Sequence, residues 1–481
     1  MFHQDESFSL IIFGATGNLA QLKLIPALYD LVAAGLLPPK MSIIGVGRKE
    51  LSNAEFRDYS YRVLHQPNRH HQHPIQDDLA QKLLDRMHYI AGDISQPAIY
   101  EQLSAMSQQE KSCDNKIFYL ATYPDLYQTI FNHLEDSGLN QQKCGFVRVI
   151  IEKPIGTNLD SAHQLNRLLN TYYQEEQIFR LDHYLGRETL QNLLTFRFGN
   201  SLFEPLINHE TVDHIQVTAS EDFGIGERGG YYDSVGALKD VGQNHILQMI
   251  ALATMDAPTA FTNQEITSKR TELLRELIPE TDKLVFGQYE GYLQEKGVAS
   301  NSDRDTFFAL RTQIKNKRFA GVPIYVRAGK MMARTVTEIA IVFKDQTKGL
   351  LQHLSQDQDH RNILIYRIQP NEGIVLRFLS KKPGFDLQLQ DEYLQYCYKH
   401  SAADLPDPYL RLLIDALRGD QTFFVDAAEV EAQWQFIDPL IAARQHLHPY
   451  TAGSWGPIAA QKLIEADGRK WIEPSVSFCS L

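Results

Sequence analysis

Nowhere does the sequence stay apolar for the ~18 residues that a membrane-spanning helix requires; its apolar runs are short and broken by glycine, proline or charge. It has no stretch rich in Pro, Gly or Ser of the kind that tethers loosely coupled domains, and no internal repeat. Composition is otherwise ordinary, 43% hydrophobic and 22% charged, which argues against fibrous and disordered classes. Positive charge is scarce. The formal net charge of −12 argues against the basic face of a nucleic-acid binder, so any anionic ligand must be met by Lys, Arg and His concentrated locally. Cysteine is scarce too: Cys113, Cys144, Cys397 and Cys479 are scattered, without metal-ligand spacing. They read as free thiols in a reducing compartment rather than as a disulfide framework, and no metal site is expected. The opening "MFHQDESFSLIIFGATGNL" begins acidic, and its short apolar run passes into glycine, unlike a secretory leader. The expectation is a soluble, cytoplasmic protein that binds neither nucleic acid nor membrane.

What is present is enough chain, 481 residues, for two or three domains. "FSLIIFG", "MSIIGVG" and "KIFYLAT" are short apolar runs ending in glycine or a polar turn, as buried parallel strands do. Between the first two lies "NLAQLKLIPALYDLVAAGLL", with helical periodicity, and a further strand, "GFVRVIIEKP", follows the helical "DLYQTIFNHLEDSGL". Alternating strand and helix predicts an α/β, doubly wound, Rossmann-like domain over residues 1–178. Beyond it, "HIQVTASE", "TFFALRTQI", "VPIYVRAG", "EIAIVFK", "NILIYRIQ" and "GIVLRFLSK" alternate or are β-branched, with few helices between. Residues 179–481 therefore read as a larger α+β domain with a mostly antiparallel sheet. "ALKDVGQNHILQMIALATM", "PYLRLLIDALRGD" and "EVEAQWQFIDPLIAARQ" are its flanking helices.

The first strand–helix junction, "IIFGATGNLAQLK", sets Gly14, Gly17 and Ala20 in a G-x-x-G-x-x-A arrangement. Glycines there let backbone N–H groups approach a pyrophosphate, whose charge the helix N-terminus favours. The second strand points to the cofactor. An acid at its end binds ribose hydroxyls in NAD-preferring folds, whereas an arginine accommodates a 2′-phosphate. Here the strand ends in Arg48 and Lys49 with no acid before them, and a guanidinium can pair with phosphate through two hydrogen bonds. The cofactor expected is NADP.

A second dense cluster, "RLDHYLGRE" (Arg180–Glu188), places an acid, a histidine, a tyrosine and two arginines in nine residues. It closely resembles the R-I-D-H-Y-L-G-K-E signature of glucose-6-phosphate dehydrogenases. "GATGNLAQLKLIPAL", "VIIEKPIG", "ERGGYYDSVGALKDVGQNHILQ", "GVPIYVRAGK", "IQPNEGI", "KKPG" and "GSWGP" resemble further blocks of that family, in family order. The resemblance spans nearly the whole chain.

It implies oxidation of D-glucose 6-phosphate to 6-phosphoglucono-δ-lactone with hydride transfer to NADP, the first oxidative step of the pentose phosphate pathway. Such a reaction needs a base for the C1 hydroxyl proton, and histidine suits that task near neutral pH. By resemblance the base is His245, oriented by Asp182. His183, Tyr184 and Arg187 match positions that hold the substrate phosphate; were the chain helical there, 183 and 187 would lie one turn apart. Glu221, Asp240, Lys330 and Gln369 correspond to sugar contacts. On a regular helix Asp240 and His245 would project ~140° apart. Lys153 corresponds to a residue touching both nicotinamide and sugar, and the family places a cis peptide before Pro154. Gly14, Thr16, Gly17, Asn18, Leu19, Lys23 and Arg48 complete the cofactor set. A homodimer or homotetramer through the second domain's sheet is implied by resemblance alone.

Several positions depart from the pattern. Arg187 stands for the usual Lys, Asn18 for Asp, Gln21 and Leu22 for lysines, and Thr335 for a basic residue whose part Arg334 could take. Gly47 replaces a common Ala, which is expected only to loosen its turn. Two rivals remain: a related sugar oxidoreductase, which would lack the "DHYLG" and "QNHILQ" blocks, and a non-catalytic relative serving as a binding or regulatory subunit.

Overall fold

The computed structural model describes residues 2, 6–66, 73–109, 114–142, 145–346, 360–398, 405–444, 446–475 and 478–479; Cys113 and Cys144 lie outside them. The chain divides into two compact units. The first comprises residues 1–156, 160–186 and 405–430, and the second residues 157–159, 187–404 and 431–481.

The first unit holds a six-stranded sheet of β1 (Ser7–Phe13), β2 (Lys40–Gly47), β3 (Met87–Ala91), β4 (Asp114–Leu120), β5 (Val147–Ile151) and β6 (Ile178–Arg180), in the order β3-β2-β1-β4-β5-β6. All its ladders are parallel, and the order is that of a dinucleotide-binding sheet. Every residue of β1 is buried, because crossover helices cover both faces of a parallel sheet. The helix Asn53–Leu64 starts on a capping box: Ser52 Oγ accepts from the Glu55 N–H at 3.3 Å, and Glu55 Oε2 accepts from the Ser52 N–H at 2.8 Å.

A late segment completes this unit. The helix Pro408–Arg418 has Asp407 capping the Tyr409 N–H at 2.8 Å, Pro408 in its first turn, and Gly419 in the left-handed conformation after its last. Its apolar stripe (Tyr409, Leu410, Leu412, Leu413, Ala416, Leu417) is buried. Arg148 of β5 donates to the terminal Ala416 and Leu417 carbonyls at 2.8 and 2.9 Å, satisfying acceptors that a helix end leaves open. From its sequence this helix reads as part of the second domain; its contacts assign it to the first unit.

The second unit is built on nine strands: β7 (Val212–Ser220), β8 (Leu277–Tyr289), β9 (Phe307–Ile314), β10 (Pro323–Gly329), β11 (Val336–Phe343), β12 (Ile363–Gln369), β13 (Gly373–Lys381), β14 (Leu389–Cys397) and β15 (Leu447–Tyr450). They run in the order β14-β13-β12-β11-β7-β10-β9-β8-β15, antiparallel except for the β7–β10 and β8–β15 pairs. The C-terminal segment lies along this sheet. Ile472 donates its N–H to Gln216 Oε1 at 2.9 Å, Arg327 and Arg367 donate to the Ile472 and Ser475 carbonyls at 2.8 and 3.2 Å, and Phe478 joins a core of Ala340, Val342, Ile363, Ile365 and Val375.

That path overturns the free-thiol expectation for two cysteines. Cys397 ends β14 and Cys479 ends the returning segment; their Cα atoms are 5.3 Å apart and the sulfurs are bonded. A link across 82 positions follows from where the terminal segment docks, which cysteine spacing cannot reveal. No helix among the described residues is long and apolar enough to cross a membrane.

Candidate active site

In the first unit the chain turns sharply out of β1. Gly14 has φ +89°, and a Cβ there would lie 2.4 Å from the Ala121 carbonyl oxygen at the end of β4, so only glycine fits. The Gly14 and Ala15 N–H groups donate to the Val46 carbonyl at 2.9 and 3.1 Å, and the Gly17 N–H donates to the Gly14 carbonyl at 2.9 Å. Gly17, Asn18 and Lys23 are exposed, with Thr16 and Leu19 half-buried. A π-helical turn, Ala20–Leu24, leads into the helix Ile25–Ala33. An exposed glycine turn at a helix start, kept free of side chains, fits a pyrophosphate.

Arg48 and Lys49 are exposed just past β2. Gly47 does more than loosen the turn. A Cβ there would lie 2.9 Å from the Tyr89 hydroxyl, which donates to the Lys49 carbonyl at 2.9 Å. Glycine makes room for the tyrosine that pins the basic segment.

Lys153 follows β5, and the Lys153–Pro154 peptide is cis, as is Gln369–Pro370. Glu152 accepts from the Tyr119 hydroxyl at 2.6 Å. Loss of hydration pushes its carboxyl up to about 7; the Tyr119 hydrogen bond and the Lys153 charge oppose this, and the Asp182 charge adds to it. The "EKP" block thus carries a near-neutral acid that sequence reasoning passed over in favour of its lysine.

The "RLDHYLGRE" stretch splits by role. Arg180 is buried and paired with Glu175 through both terminal nitrogens, at 2.5 and 3.2 Å, a structural task. Asp182 is buried, and its Oδ1 accepts from the Tyr184 N–H at 2.9 Å, which folds the segment into a turn. His183 stacks on Tyr409 with ring centroids 6.0 Å apart, and Lys23 lies over the same ring at 5.8 Å. Gly186 runs against the helix Pro408–Arg418, since a Cβ would lie 2.6 Å from the Pro408 carbonyl oxygen. Residues 183–186 form turns, and the next helix begins only at Glu188, with Arg187 as its extended N-cap. The expected single-turn spacing of His183 and Arg187 on a helix is therefore not found. The hydrogen bond from the Tyr184 N–H to Asp182 competes with helix formation.

In the second unit, Glu221 and Lys330 each directly follow a strand of the parallel β7–β10 pair and form an ion pair. Lys330 lies over the Phe223 and Tyr232 rings at 5.2 and 5.3 Å. Tyr232 is buried; loss of hydration raises its pKa well above normal, and the charges of Asp240 and Glu221 add to the rise. Tyr231 is hydrogen-bonded to Asp240, and its hydroxyl is pushed up to about 12, chiefly by burial. Tyr231 thus partners Asp240, and Tyr232 lies under Lys330. Their signal was the aromatic pair in "GGYYDS", which carries no charge to draw notice.

Asp240 and His245 lie on a π-helix, Leu238–Ile246, continued by the helix Leu247–Thr254. Its hydrogen bonds run from i to i+5, which brings residues five apart round to one face. The ~140° separation of a regular helix therefore does not apply here, and the two side chains project closer together. His245 is buried and Asp240 half-buried. Gln369 sits at the end of β12 and donates to Thr337 Oγ1 at 3.2 Å. Thr335 donates to Asp222 Oδ1 at 2.6 Å. Arg334 is turned to the Pro474 carbonyl at 2.8 Å.

Two family models together span nearly the whole chain. Residues 11–192 match the model "Glucose-6-phosphate dehydrogenase, NAD binding domain", and residues 194–472 match "Glucose-6-phosphate dehydrogenase, C-terminal domain". The chain belongs to the glucose-6-phosphate dehydrogenase family. It is 38% identical to glucose-6-phosphate 1-dehydrogenase of Aggregatibacter actinomycetemcomitans, over 98% of each chain. It is 37% identical to glucose-6-phosphate 1-dehydrogenase 2 of Mycobacterium bovis, over 97% of this chain and 94% of the relative. Among solved structures, a glucose-6-phosphate dehydrogenase in complex with glucose 6-phosphate superposes with a TM-score of 0.90 at 33% identity, covering 98% of this chain and all of that one. Of the positions where the motif resemblance leads one to expect a basic residue, Thr335 of this glucose-6-phosphate dehydrogenase family member is engaged by Asp222.

Proposed function

We infer that the chain oxidises D-glucose 6-phosphate at C1, with hydride transfer to NADP and release of 6-phosphoglucono-δ-lactone. The observation that supports this reading is the second unit's grouping: the Lys330–Glu221 pair, Lys330 over the Tyr232 ring, Asp240 hydrogen-bonded to the adjacent Tyr231, and His245 on the helix that carries Asp240. Lysine and two carboxylates suit sugar hydroxyls, and a histidine suits the C1 proton.

Bound NADP supplies the hydride acceptor. The residues that would hold it are Gly14, Thr16, Gly17, Asn18, Leu19 and Lys23 around the pyrophosphate and Arg48 at the 2′-phosphate, with Lys153 beside the nicotinamide end. His245 takes the C1 hydroxyl proton. Asp182, the carboxylate that the family motif assigns to it, fixes the imidazole tautomer and steadies the imidazolium. His183, Tyr184 and Arg187 hold the substrate phosphate; Glu221, Asp240, Lys330 and Gln369 hold the sugar.

The working form is a homodimer or homotetramer joined through the nine-stranded sheet. Exposed Leu394 and Tyr396 on edge strand β14, with exposed Phe385 and Leu387 before it, support that choice of surface. The reaction is that of a cytoplasmic sugar-phosphate metabolism. The test follows absorbance at 340 nm with glucose 6-phosphate and NADP, then with NAD, then with free glucose. Reduction of NADP that depends on the sugar's phosphate is expected; none would overturn the reading.

A further inference from the structure

The π-helix that carries Asp240 and His245 begins against a buried carboxylate from elsewhere in the second unit. Asp305, 4% exposed, precedes β9. Its Oδ2 accepts from the Leu238 N–H at 2.9 Å, and its carbonyl accepts from the Ala237 N–H at 2.9 Å. Two of the helix's opening donors are thus taken by one residue. The other carboxylate oxygen faces Arg444 Nη1 at 3.4 Å, while Arg444 Nη2 donates to Asp303 at 2.6 Å. The turn before the helix is shaped to this group: Gly236 has φ +79°, and a Cβ there would lie 2.5 Å from Asp305 Oδ1.

The next residue works on the other half of the site. The Thr306 carbonyl accepts from the Lys330 N–H at 3.0 Å, and Thr306 Oγ1 lies 3.0 Å from the Tyr450 hydroxyl, which donates to the Lys330 carbonyl at 2.7 Å. Phe308 of β9 packs where a Cβ at Gly242 would lie, 3.0 Å from its ring. One short segment therefore fixes both the start of the π-helix and the backbone of Lys330.

We propose that Asp305 is a positioning residue for this reaction: its carboxylate, clamped by Arg444, anchors the first turn of the π-helix and so sets the rotation at which Asp240 and His245 are presented. An i to i+5 helix brings residues five apart onto one face only while its register holds, and the buried negative charge at its N-terminus stabilises that start. The inference rests on the proposed role of His245, and the experiment separates the two.

Asp305→Ala, Asp305→Asn and His245→Asn are compared with wild type, as full chains, for thermal melting, kcat, KM for each substrate, and the pH profile of kcat/KM. Asp305→Ala is expected to lower kcat by about tenfold or more, with KM for NADP within about threefold. The acidic limb should move to lower pH, because an imidazole turned away from its orienting carboxylate loses the charge that favours its protonated form. Asp305→Asn keeps an oxygen for the Leu238 N–H but not the charge. It should recover at least about threefold of the lost turnover and show a smaller displacement of the limb, because the Arg444 clamp is still lost. Turnover of Asp305→Ala within about threefold of wild type, or an unmoved limb, overturns the proposal. If the alanine variant does not fold, the limb of Asp305→Asn decides in the same way. Normal activity of Asp305→Ala beside an inactive His245→Asn removes the positioning role alone. An active His245→Asn removes the reading of the base itself.

Discussion

Lys330 and Glu221 form the next rung of the β7–β10 ladder: Gly329 is in register with Ser220, and the residue after each turns its charge toward the other. The backbone holds both ends, with the Glu221 N–H donating to the Gly329 carbonyl at 3.0 Å and the Lys330 N–H to Thr306. The pair is thus fixed before any sugar arrives, so that binding need not order it. Glu221→Ala should raise KM for glucose 6-phosphate by roughly tenfold or more, the loss of a charge-assisted hydrogen bond. KM for NADP should hardly change. Lys330→Ala combined with it should cost less than the sum of the two, since each single change already frees the partner. Additive effects would show that the two groups act independently.

Arg48 is expected to discriminate between cofactors. It stands exposed beyond β2, and the segment is pinned by the Tyr89 hydroxyl on Lys49. Arg48→Ala should raise KM for NADP by about 1.5–3 kcal/mol in binding terms, the range for hydrogen bonds to charged groups, and leave KM for NAD nearly unchanged. Equal losses with both cofactors would assign Arg48 a structural role. Gly47→Ala is a companion: its Cβ crowds Tyr89, so it should weaken NADP binding and lower the melting temperature together.

Much of this was legible in the sequence, and the exceptions have physical causes. Buried parallel strands such as Ser7–Phe13 read as apolar runs because both faces are covered. Strands β8 and β14 did not: Leu277–Tyr289 and Leu389–Cys397 are largely half-buried or exposed and carry polar residues. The helix Pro408–Arg418 was legible as a helix but not as part of the first unit, because periodicity gives a face and no partner. The start of the π-helix is held by Asp305, far along the chain, and helical periodicity contains no trace of it. The disulfide was hidden for the same reason.

Glu152 makes a stability prediction with a definite sign. Burial pushes its carboxyl up to about 7 in the fold, from an ordinary value of 4.5. Between those values the folded chain holds the proton more tightly than the unfolded one, so this group's contribution to stability falls as pH rises through that window. Glu152→Gln keeps an oxygen for the Tyr119 hydroxyl and removes the titration. Its stability relative to wild type should therefore improve between about pH 5 and pH 8, by on the order of 2 kcal/mol. Melting curves at both ends of the range decide it; a constant difference would mean that the carboxyl titrates normally.

Arg187 opens its helix with a half-buried guanidinium. Arg187→Ala should weaken glucose 6-phosphate binding by about 1.5–3 kcal/mol, and turnover of free glucose should stay as poor as before. Arg187→Lys should recover most of the loss, short of whatever the planar fork adds by pairing two hydrogen bonds. A loss as large for free glucose would mean that Arg187 supports the helix start rather than the phosphate.

The base is tested last because every other assignment is arranged around it. His245 is buried, lies on the π-helix that carries Asp240, and belongs to a helix whose start is held by Asp305. Its ring is therefore held by packing as well as by whatever carboxylate orients it. His245→Asn keeps much of the volume but cannot accept the C1 proton. It should lower kcat by the ~10²–10⁴ typical of general-base loss, with substrate affinity changed little. Asp182→Asn should cost less and displace the acidic limb of the pH profile, because an amide still fills the turn at the Tyr184 N–H but no longer stabilises an imidazolium. The decisive measurement is kcat of folded His245→Asn at saturating glucose 6-phosphate and NADP. Activity within about tenfold of wild type would send the proton elsewhere, and the π-helix would then serve binding alone.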